Sequence, residues 1–523
     1  MRRREISRSR AGWLLAGAVA VVLAIPFLVV TFPPITDLAQ QTAQIPLLVD
    51  AVTNPDTPYR VQWLNPNGLS YLVLGLSWAL FPPLAAGRLA MYGIGLLWLA
   101  AIFLLARRRG RPLSAAVLAS LFFFNHVVTW GFYSFAIGLP VFVLWLLVTS
   151  RDPKRSAWAD LLLHAGGGLL LYLAHALWFA AGGLWLVVWG LVSRWPLRVW
   201  VRRLGSQLPA AALGVAWFLR VSGTSFSTPP TWFIPTSERV WGEWLRISFL
   251  GSVDGPLEWW VLGVVAGWVA LAVAAHLWGR GAEAGGGAEA PPVPGADRQL
   301  LTAAAMFVLF YLVLPDKYTS TILFAERWLP GAAVLAVLGV PRLPVRPALA
   351  RAAALLLVAA HVLGVAGVWM EFEREELAGL EESLEALPED SSVLGLSFLQ
   401  ASPRIVGRPF IQTFAYAQVV KGAELNFTFA LFPSSLVVYD EIPERPWAEG
   451  LEWNPEYATP DDLSHFDHVL ASGEEEVHRQ LAARPELEPV QDEGVWRLYQ
   501  VVGAPATPQP PPALPAPPPP AGR

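Results

Sequence analysis

The chain lacks cysteine altogether and is poor in charge. Without cysteine, disulfide bonds and thiolate metal sites are excluded, and cysteine usage says nothing about the redox compartment. Charged residues make up 15% of the 523 residues, whereas a soluble globular protein carries about 25%. Lysine occurs only at 154, 317 and 421, so arginine supplies almost all the positive charge. That preference, with abundant Ala, Gly and Pro, is typical of a GC-rich bacterial genome.

Apolar runs dominate the first 370 positions, and hydrophobic residues make up 54% of the chain. Many of the runs reach about 17–25 residues, the length of a helix that crosses a bilayer. We therefore predict an α-helical polytopic membrane protein with about 11 spans. The predicted spans lie near 12–32, 89–106, 113–131, 134–150, 157–174, 176–193, 207–221, 258–278, 300–315, 328–341 and 348–370.

The ends of the runs carry two further signals. The first run follows the basic stretch "MRRREISRSR", but no small-x-small cleavage site precedes its prolines, so we interpret it as a retained span. Basic residues elsewhere stand in short clusters between apolar runs rather than on one folded surface. This pattern argues against binding of nucleic acid.

The segment "GLSYLVLGLSWALFPPLAA" (68–86) decides the topology. The positive-inside rule counts Lys and Arg in short loops near span ends. If 68–86 stays outside, the large majority of these cations lie in inner loops; if it crosses, most of them move outside. We therefore predict a helix that lies on the outer interface and ends at Pro82-Pro83, within an outer loop from 33 to 87. The N-terminus is then cytoplasmic.

The residues after the last span are predicted to form an extracytoplasmic α/β domain, 371–503. Leucines in "EFEREELAGLEESLEALPED" recur at helical spacing. Four short runs are typical of strands: "SVLGLSFL", "SLVVYDEI", "DHVLAS" and "GVWRLYQVV", with a helix, "GEEEVHRQLAAR", between the last two. The proline-rich tail 504–523 cannot pack a core and is predicted to be disordered. The inner linker 279–298 is of low complexity.

Polar residues collect at the predicted outer ends of the spans. Polar side chains near a membrane are expensive unless they pair or function. At the inner ends they are mostly Arg, which topology explains, so the outer face is the candidate active face. The outer candidates are Asp37, His126, His175, Asp316, Lys317, Glu326 and Arg327.

Asp37 follows the two prolines that end the first run. One interpretation is a helix cap, because Thr36 or Asp37 precedes "LAQQTAQIPLLVDAV" and acids favour helix N-termini. The other is a general base whose pKa is tuned by partial burial at the membrane surface. The two interpretations are compatible.

His126 and His175 both fall at outer span ends among aromatic residues. Each could be a hydrogen-bonded anchor. Together they could instead bind a phosphate or, with Asp37, a divalent metal ion, although three separate spans give no metal-site spacing.

Arg327 opens a late span beside Glu326. Its planar guanidinium is suited to a phosphate oxygen, and Glu326 could simply neutralise it. Lys317 could assist, or only snorkel to the interface.

The order of these features resembles the GT-C superfamily of integral-membrane glycosyltransferases, which includes protein mannosyltransferases and aminoarabinose transferases. Asp37 matches the acid just beyond the first span of that family. The stretch 65–81 matches its juxtamembrane segment, and 85–111 matches the second span with its basic end. "FAERWLPGAAVL" (324–335) is similar to the stretch that opens a late span. A soluble domain on the outer side is also common in the family.

The resemblance implies transfer of a sugar from a polyprenyl-phosphate donor to a glycan, lipid or protein acceptor. The reaction would take place at the outer face of the bacterial inner membrane. Asp37 would deprotonate the acceptor hydroxyl, and Arg327 with His126 and His175 would hold the departing phosphate. Direct displacement would invert the anomeric carbon.

One departure and two rival functions remain open. Many family members carry a second acid in the next outer loop, yet 125–135 holds none, so His126 replaces it or activity is lost. A transporter would be expected to show internal repeats and midplane charges, and the sequence shows no repeat. A non-catalytic membrane assembly protein would share the spans, since architecture alone does not establish function.

Overall fold

The computed structural model describes residues 2–150, 156–222, 228–283, 295–319 and 321–502. The basic inner loop 151–155, most of the low-complexity linker and the proline-rich tail lie outside the described residues. The predictions made for them therefore stay predictions.

Helices make up most of the described chain. In chain order they are α1 (Arg2–Val29), α2 (Leu38–Thr53), α3 (Gly68–Leu80), α4 (Pro83–Arg108), α5 (Leu113–Ser120), α6 (His126–Thr129), α7 (Tyr133–Thr149), α8 (Ala157–Ala174), α9 (Ala176–Val192), α10 (Leu197–Gly205), α11 (Leu208–Val221), α12 (Thr236–Trp241), α13 (Glu243–Phe249), α14 (Pro256–Glu283), α15 (Arg298–Val313), α16 (Leu329–Gly339), α17 (Pro347–Glu376), α18 (Leu380–Ala386), α19 (Tyr416–Lys421), α20 (Pro460–Leu463) and α21 (Glu475–Ala482).

Short 3-10 turns and strands complete the architecture. The 3-10 turns are Leu121–Phe123, Glu326–Trp328, Thr413–Ala415, Phe429–Leu431 and Pro455–Tyr457. The strands are β1 (Tyr59–Val61), β2 (Lys317–Tyr318), β3 (Thr321–Ile322), β4 (Ser392–Ser397), β5 (Glu424–Leu425), β6 (Val437–Tyr439), β7 (His468–Ser472), β8 (Leu487–Gln491) and β9 (Trp496–Val501).

Five of the described helices are long and apolar enough to cross a membrane: α1, α4, α8, α14 and α17. The other predicted spans coincide with shorter apolar helices. Helix α1 packs against both α17 and α4, so the first and last spans are neighbours. The chain is thus a multi-pass membrane protein, while the count of eleven spans and the side of each terminus stay predictions.

Helix α3 covers most of the segment 68–86. Its 13 residues extend over only about 20 Å, which is less than the roughly 30 Å of a bilayer core. Pro82 and Pro83 turn the chain, because proline cannot continue a helix, and α4 already begins at Pro83. Ser77 donates a hydrogen bond to the carbonyl of Ala86 at 2.7 Å, which holds α3 against α4. The second span therefore starts six residues before the predicted 89.

The C-terminal residues form a five-stranded sheet of order β5-β4-β7-β9-β8. Strand β4 is parallel to β5 and β7, whereas β9 is antiparallel to β7 and β8. Three of the predicted strands lie in this sheet as β4, β7 and β9, and α21 is the predicted helix. The fourth, in "SLVVYDEI", forms β6 outside this sheet and pairs with β1 of the loop after the first helix.

The predicted helix after the last span is interrupted. Helix α17 ends at Glu376 and α18 begins at Leu380, with Gly379 between them at φ 88°. A Cβ there would lie 2.4 Å from the carbonyl oxygens of Glu493 and Trp496, so the position requires glycine.

One hydrophobic cluster runs from the membrane helices into the C-terminal residues. It includes Phe27 and Trp369 as well as Phe414 and Trp496. The Glu373 carboxylate also accepts hydrogen bonds from the backbone of Thr31 and Phe32 at 2.6 and 2.7 Å. The proposed boundary at 371 thus passes through a continuous core, and the division into domains stays a prediction.

Candidate active site

A cavity of about 660 Å³ lies where the N-terminal loop, the membrane helices and the C-terminal residues meet. Asp37, His175 and Arg327 line it, although they are far apart in the sequence. Neutral polar residues on its wall include Gln41, Asn67, Ser70, Thr319, Gln412, Ser434 and Ser435. Aromatic residues on its wall include Tyr71, Trp130, Phe132, Tyr172, Phe179, Trp217, Tyr318, Phe427, Phe429, Phe432 and Trp453.

Two backbone hydrogen bonds fix the position of Asp37 beside the segment that contains Thr129 and Trp130. The N–H groups of Thr36 and Asp37 donate to the carbonyls of Thr129 and Trp130 at 2.8 and 3.2 Å. Helix α2 then begins, with Asp37 at its N-cap position. The Asp37 side chain makes no capping hydrogen bond and lines the cavity instead. Asp37 therefore occupies the cap position without using its carboxylate as a cap.

Gly131 allows the turn at 130–132 to approach Asp37 closely. Its φ is +76°, and a Cβ at this position would lie 3.0 Å from both the backbone nitrogen and the Cβ of Asp37. Glycine adopts this left-handed conformation at no steric cost. No sequence signal singled out Gly131, because a lone glycine among aromatic residues has many possible reasons.

The surroundings of Asp37 favour its neutral form. Burial raises the pKa of Asp37 to about 7, and the positive charge of Arg327 limits that rise. A carboxylate that exchanges its proton near neutral pH is suited to general base catalysis.

The Arg327 guanidinium is held by carbonyl groups and aromatic rings. Its Nε and Nη2 donate to the carbonyls of Leu323 and Ile322 at 3.0 and 2.5 Å. Its carbon atom Cζ lies 4.3 Å from the ring centre of Phe132 and 5.1 Å from that of Phe135. Within the described ranges no carboxylate oxygen lies within 4.0 Å of this guanidinium. Burial lowers the pKa of Arg327 to about 9, against the charges of Glu326 and Asp37, so the group is still a cation at pH 7.

The loop that carries Arg327 is strained. Thr319 and Leu323 both have positive φ, at 46° and 51°, although neither is glycine. Such left-handed residues cost about 1–3 kcal/mol each and cluster at functional sites. The carbonyl of Leu323 is one of the two that orient Arg327, so the strain lies beside a cavity group.

His175 presents a neutral imidazole. It caps α9, and its Nδ1 accepts a hydrogen bond from the Leu177 backbone N–H at 3.1 Å. Burial, with a smaller contribution from Arg327, lowers the pKa of His175 to about 3. Because Nδ1 is the acceptor, the ring proton is on Nε2, which can act as a donor.

His126 lies behind the cavity rather than on its wall. It is the first residue of α6 and is 0% exposed. The side chain of the preceding Asn125 caps this helix by accepting from the Val127 N–H at 2.8 Å.

Glu326 belongs to a separate buried cluster. Asp316 accepts hydrogen bonds from the N–H groups of Phe233 and Ile234 at 2.6 and 3.0 Å and from Arg239. Glu326 lies 4.0 Å from the same Arg239. Burial, with a smaller contribution from the neighbouring Asp316 carboxylate, raises the pKa of Glu326 to about 8. The hydrogen bonds to Asp316 hold the loop that bears Arg327 against the segment that contains Phe233, Ile234 and Arg239.

Lys317 lies in the short hairpin of β2 and β3. Its backbone N–H donates to the carbonyl of Thr231 at 3.2 Å. The neighbouring Tyr318 and Thr319 line the cavity, whereas the Lys317 side chain is not among the described lining residues.

A metal site finds no support in the described part of the chain. There, no group of three or more His, Cys, Asp or Glu side chains is arranged to hold a metal ion. The trio of Asp37, His126 and His175 is included in that statement.

The comparisons with known proteins concern the fold. No protein-family model matches the chain, and no curated protein matches it. The chain is similar to the crystal structure of ArnT from Cupriavidus metallidurans bound to undecaprenyl phosphate. The similarity has a TM-score of 0.52, covers 95% of this chain and 99% of that chain, and comes with 16% identity. At that identity it shows the fold alone: this is a multi-pass membrane protein of GT-C-like fold.

Proposed function

We propose that the chain is a glycosyltransferase that moves a sugar from a polyprenyl-phosphate donor to an acceptor hydroxyl at the outer face of the membrane. The observation that carries the proposal is the convergence of one carboxylate, one guanidinium and one imidazole in a single cavity of a GT-C-like fold. These are the groups that a base-assisted displacement on a lipid-linked sugar requires.

Asp37 acts as the general base. Its carboxylate accepts the proton of the acceptor hydroxyl while the hydroxyl oxygen attacks the anomeric carbon. The bond from that carbon to the phosphate oxygen breaks, and polyprenyl phosphate leaves with the bonding pair. Because attack and departure occur on opposite faces, the anomeric configuration inverts.

Arg327 stabilises the leaving phosphate. Its two hydrogen bonds to carbonyl groups hold the guanidinium in place without cancelling its charge. A cation preorganised in this way acts on the charge that develops in the transition state. His175 assists, because its Nε2–H can donate to a second phosphate oxygen.

The proposed mechanism uses no second acid. His126 is fully buried, so it is not placed to stand in for an acid on the cavity wall. One base and one phosphate clamp suffice for the displacement. That ArnT was crystallised with undecaprenyl phosphate supports a lipid phosphate as the carrier here. Glycan, lipid and protein hydroxyls are the acceptor classes.

A transfer assay tests the proposal. Purified full-length protein in lipid nanodiscs is supplied with radiolabelled sugars linked to undecaprenyl phosphate and with membrane extract as the source of acceptor. We expect labelled product of inverted anomeric configuration and release of undecaprenyl phosphate. Arg327→Gln should lower kcat about 100-fold or more, whereas Arg374→Gln, on an exposed side chain, should not. Folded protein that transfers no sugar from any donor would contradict the proposal and favour a scaffold role.

A further inference from the structure

The cavity has a restricted set of charges. Among the described residues that line it, the only charged side chains are Asp37 and Arg327. In the proposed reaction Asp37 takes the hydroxyl proton and Arg327 takes the phosphate. No charged group on the described wall is then left to pair with a charge on the sugar.

The remaining polar wall is neutral. It consists of amides and hydroxyls such as Gln41, Asn67, Gln412 and Ser434. These groups both donate and accept hydrogen bonds, so they suit the hydroxyl groups of a sugar. An amino or carboxylate substituent in the same space would lose its hydration and find no counter-charge among the described lining residues, which is costly in a partly buried site. The Arg408 guanidinium, whose Cζ lies 5.3 Å from the ring centre of Trp453, is not one of the lining residues and donates a hydrogen bond to Gln400.

Aromatic residues form another part of the cavity wall. The rings of Phe427, Phe429 and Phe432 pack together with centroids 5.4–6.1 Å apart. Phe432 and Trp453 are each 37% exposed, the most open aromatic residues in this part of the wall. Large flat rings of this kind bury an apolar face well, and a sugar ring offers one through its C–H groups.

The wall is fixed to the helix that carries the base. Gln40, in the first turn of α2, donates to the carbonyl of Phe427 and accepts from the N–H of Phe429, both at 3.0 Å. Gln44, one turn later, accepts from the N–H of Val437 at 3.2 Å. The distance from Asp37 to the aromatic wall is therefore set by buried hydrogen bonds.

We infer that the transferred sugar is uncharged, a neutral hexose or pentose, and that Phe432 and Trp453 form the face against which its ring packs. The inference rests on the proposed function, because it assigns Asp37 and Arg327 to the reacting groups. It makes Phe432 and Trp453 determinants of donor specificity.

Donor binding without acceptor tests the charge preference. The full-length protein is titrated with undecaprenyl phosphate linked to glucose, mannose, arabinose, glucosamine or glucuronic acid. Neutral donors should bind roughly tenfold or more tightly than glucosamine or glucuronic acid donors, because the charged substituent is unpaired. Equal or tighter binding of a charged donor, or binding of none, would overturn the inference. Neutral preference without transfer in the assay above would refute only the proposed function.

Substitutions test the aromatic face. Trp453→Leu and Phe432→Leu should weaken binding of neutral donors about fivefold, and Trp453→Tyr should retain most of it. Trp241→Leu is the matched control, since Trp241 is exposed and does not line the cavity. Binding of undecaprenyl phosphate without sugar should not change in any of these variants. If it weakens in parallel, the residues support the fold rather than the sugar.

Discussion

At the residue scale, Asp37 bears on both interpretations that the sequence allowed, a helix cap and a general base. It is the N-cap residue of α2, yet its carboxylate makes no capping bond and lines the cavity. The "TFPPITD" stretch was enough to predict an acid at the edge of the first span. Its pKa could not be predicted, because it depends on burial by residues more than 90 positions away and on Arg327.

The stability of the Asp37→Asn variant should depend on pH. Burial raises the folded-state pKa of Asp37 from 3.8 to about 7, so the native fold loses stability as pH rises between these values. The Asn side chain does not ionise, so the variant does not lose this stability as pH rises. We expect its melting temperature at pH 8, measured by nanoscale fluorimetry, to be roughly 2 °C above that of the native protein, with a smaller difference at pH 5. Asp50→Asn, on the same helix but not on the cavity wall, is the control; equal gains at both pH values in Asp37→Asn would contradict the assignment.

The pH dependence of transfer links Asp37 to Arg327. In the native protein kcat/KM should rise with pH through about 7, as Asp37 loses its proton. The Arg327 charge lowers the pKa of Asp37, so in the residual activity of Arg327→Gln the rise should move to higher pH. Arg374→Gln should leave the profile in place. A rise at unchanged pH in Arg327→Gln would show that the titrating group is not Asp37.

At the scale of elements, the turn 130–132 and the loop 316–327 position the two charged groups. The carbonyl of Trp130 in the turn accepts a hydrogen bond from the backbone N–H of Asp37, and the loop supplies both carbonyls that hold Arg327. The lengths of the apolar runs predicted most of the helices, because a helix that crosses a bilayer needs an apolar run of matching length. They could not predict either irregular segment, because the turn depends on the close approach of Gly131 to Asp37 and the loop on a positive φ at Leu323.

Gly131→Ala should disturb the site more than the fold. A methyl group there would meet the Asp37 backbone at 3.0 Å, in a conformation with positive φ that alanine rarely adopts. We expect loss of roughly 1 kcal/mol of stability and a drop in kcat of about tenfold or more. Gly110→Ala is the control, because it also has positive φ but has open space around it. If Gly110→Ala lost transfer activity to a similar extent, backbone strain rather than the contact with Asp37 would explain the effect of Gly131→Ala.

At the scale of the whole molecule, the cavity is closed by residues from both ends of the chain. Gln412, Phe427 and Trp453 line it although they lie more than 370 positions after Asp37. The sequence predicted a separate C-terminal α/β domain because short strand-like runs and helical runs follow one another after the last predicted span. It contained no signal that β6 would pair with β1, since such long-range pairing is set by the folded surfaces of both partners.

Truncation tests this continuity. A chain ending at 370 should fail to give a stable, monodisperse protein, because it would expose the cluster that joins Phe27 and Trp369 to Phe414 and Trp496. A chain ending at Val502 should retain the melting temperature of the full chain. A well-folded 1–370 fragment in size-exclusion chromatography would show that the two parts are independent domains.

Single-turnover transfer by Asp37→Asn tests the central claim most directly. A limiting amount of labelled donor is bound to an excess of native protein, Asp37→Asn or the control Asp50→Asn, and acceptor is then added. We predict that Asp37→Asn binds donor normally but transfers sugar about 100-fold or more slowly, while Asp50→Asn matches the native rate. Transfer by folded Asp37→Asn at the native rate would contradict the role of Asp37 as the base.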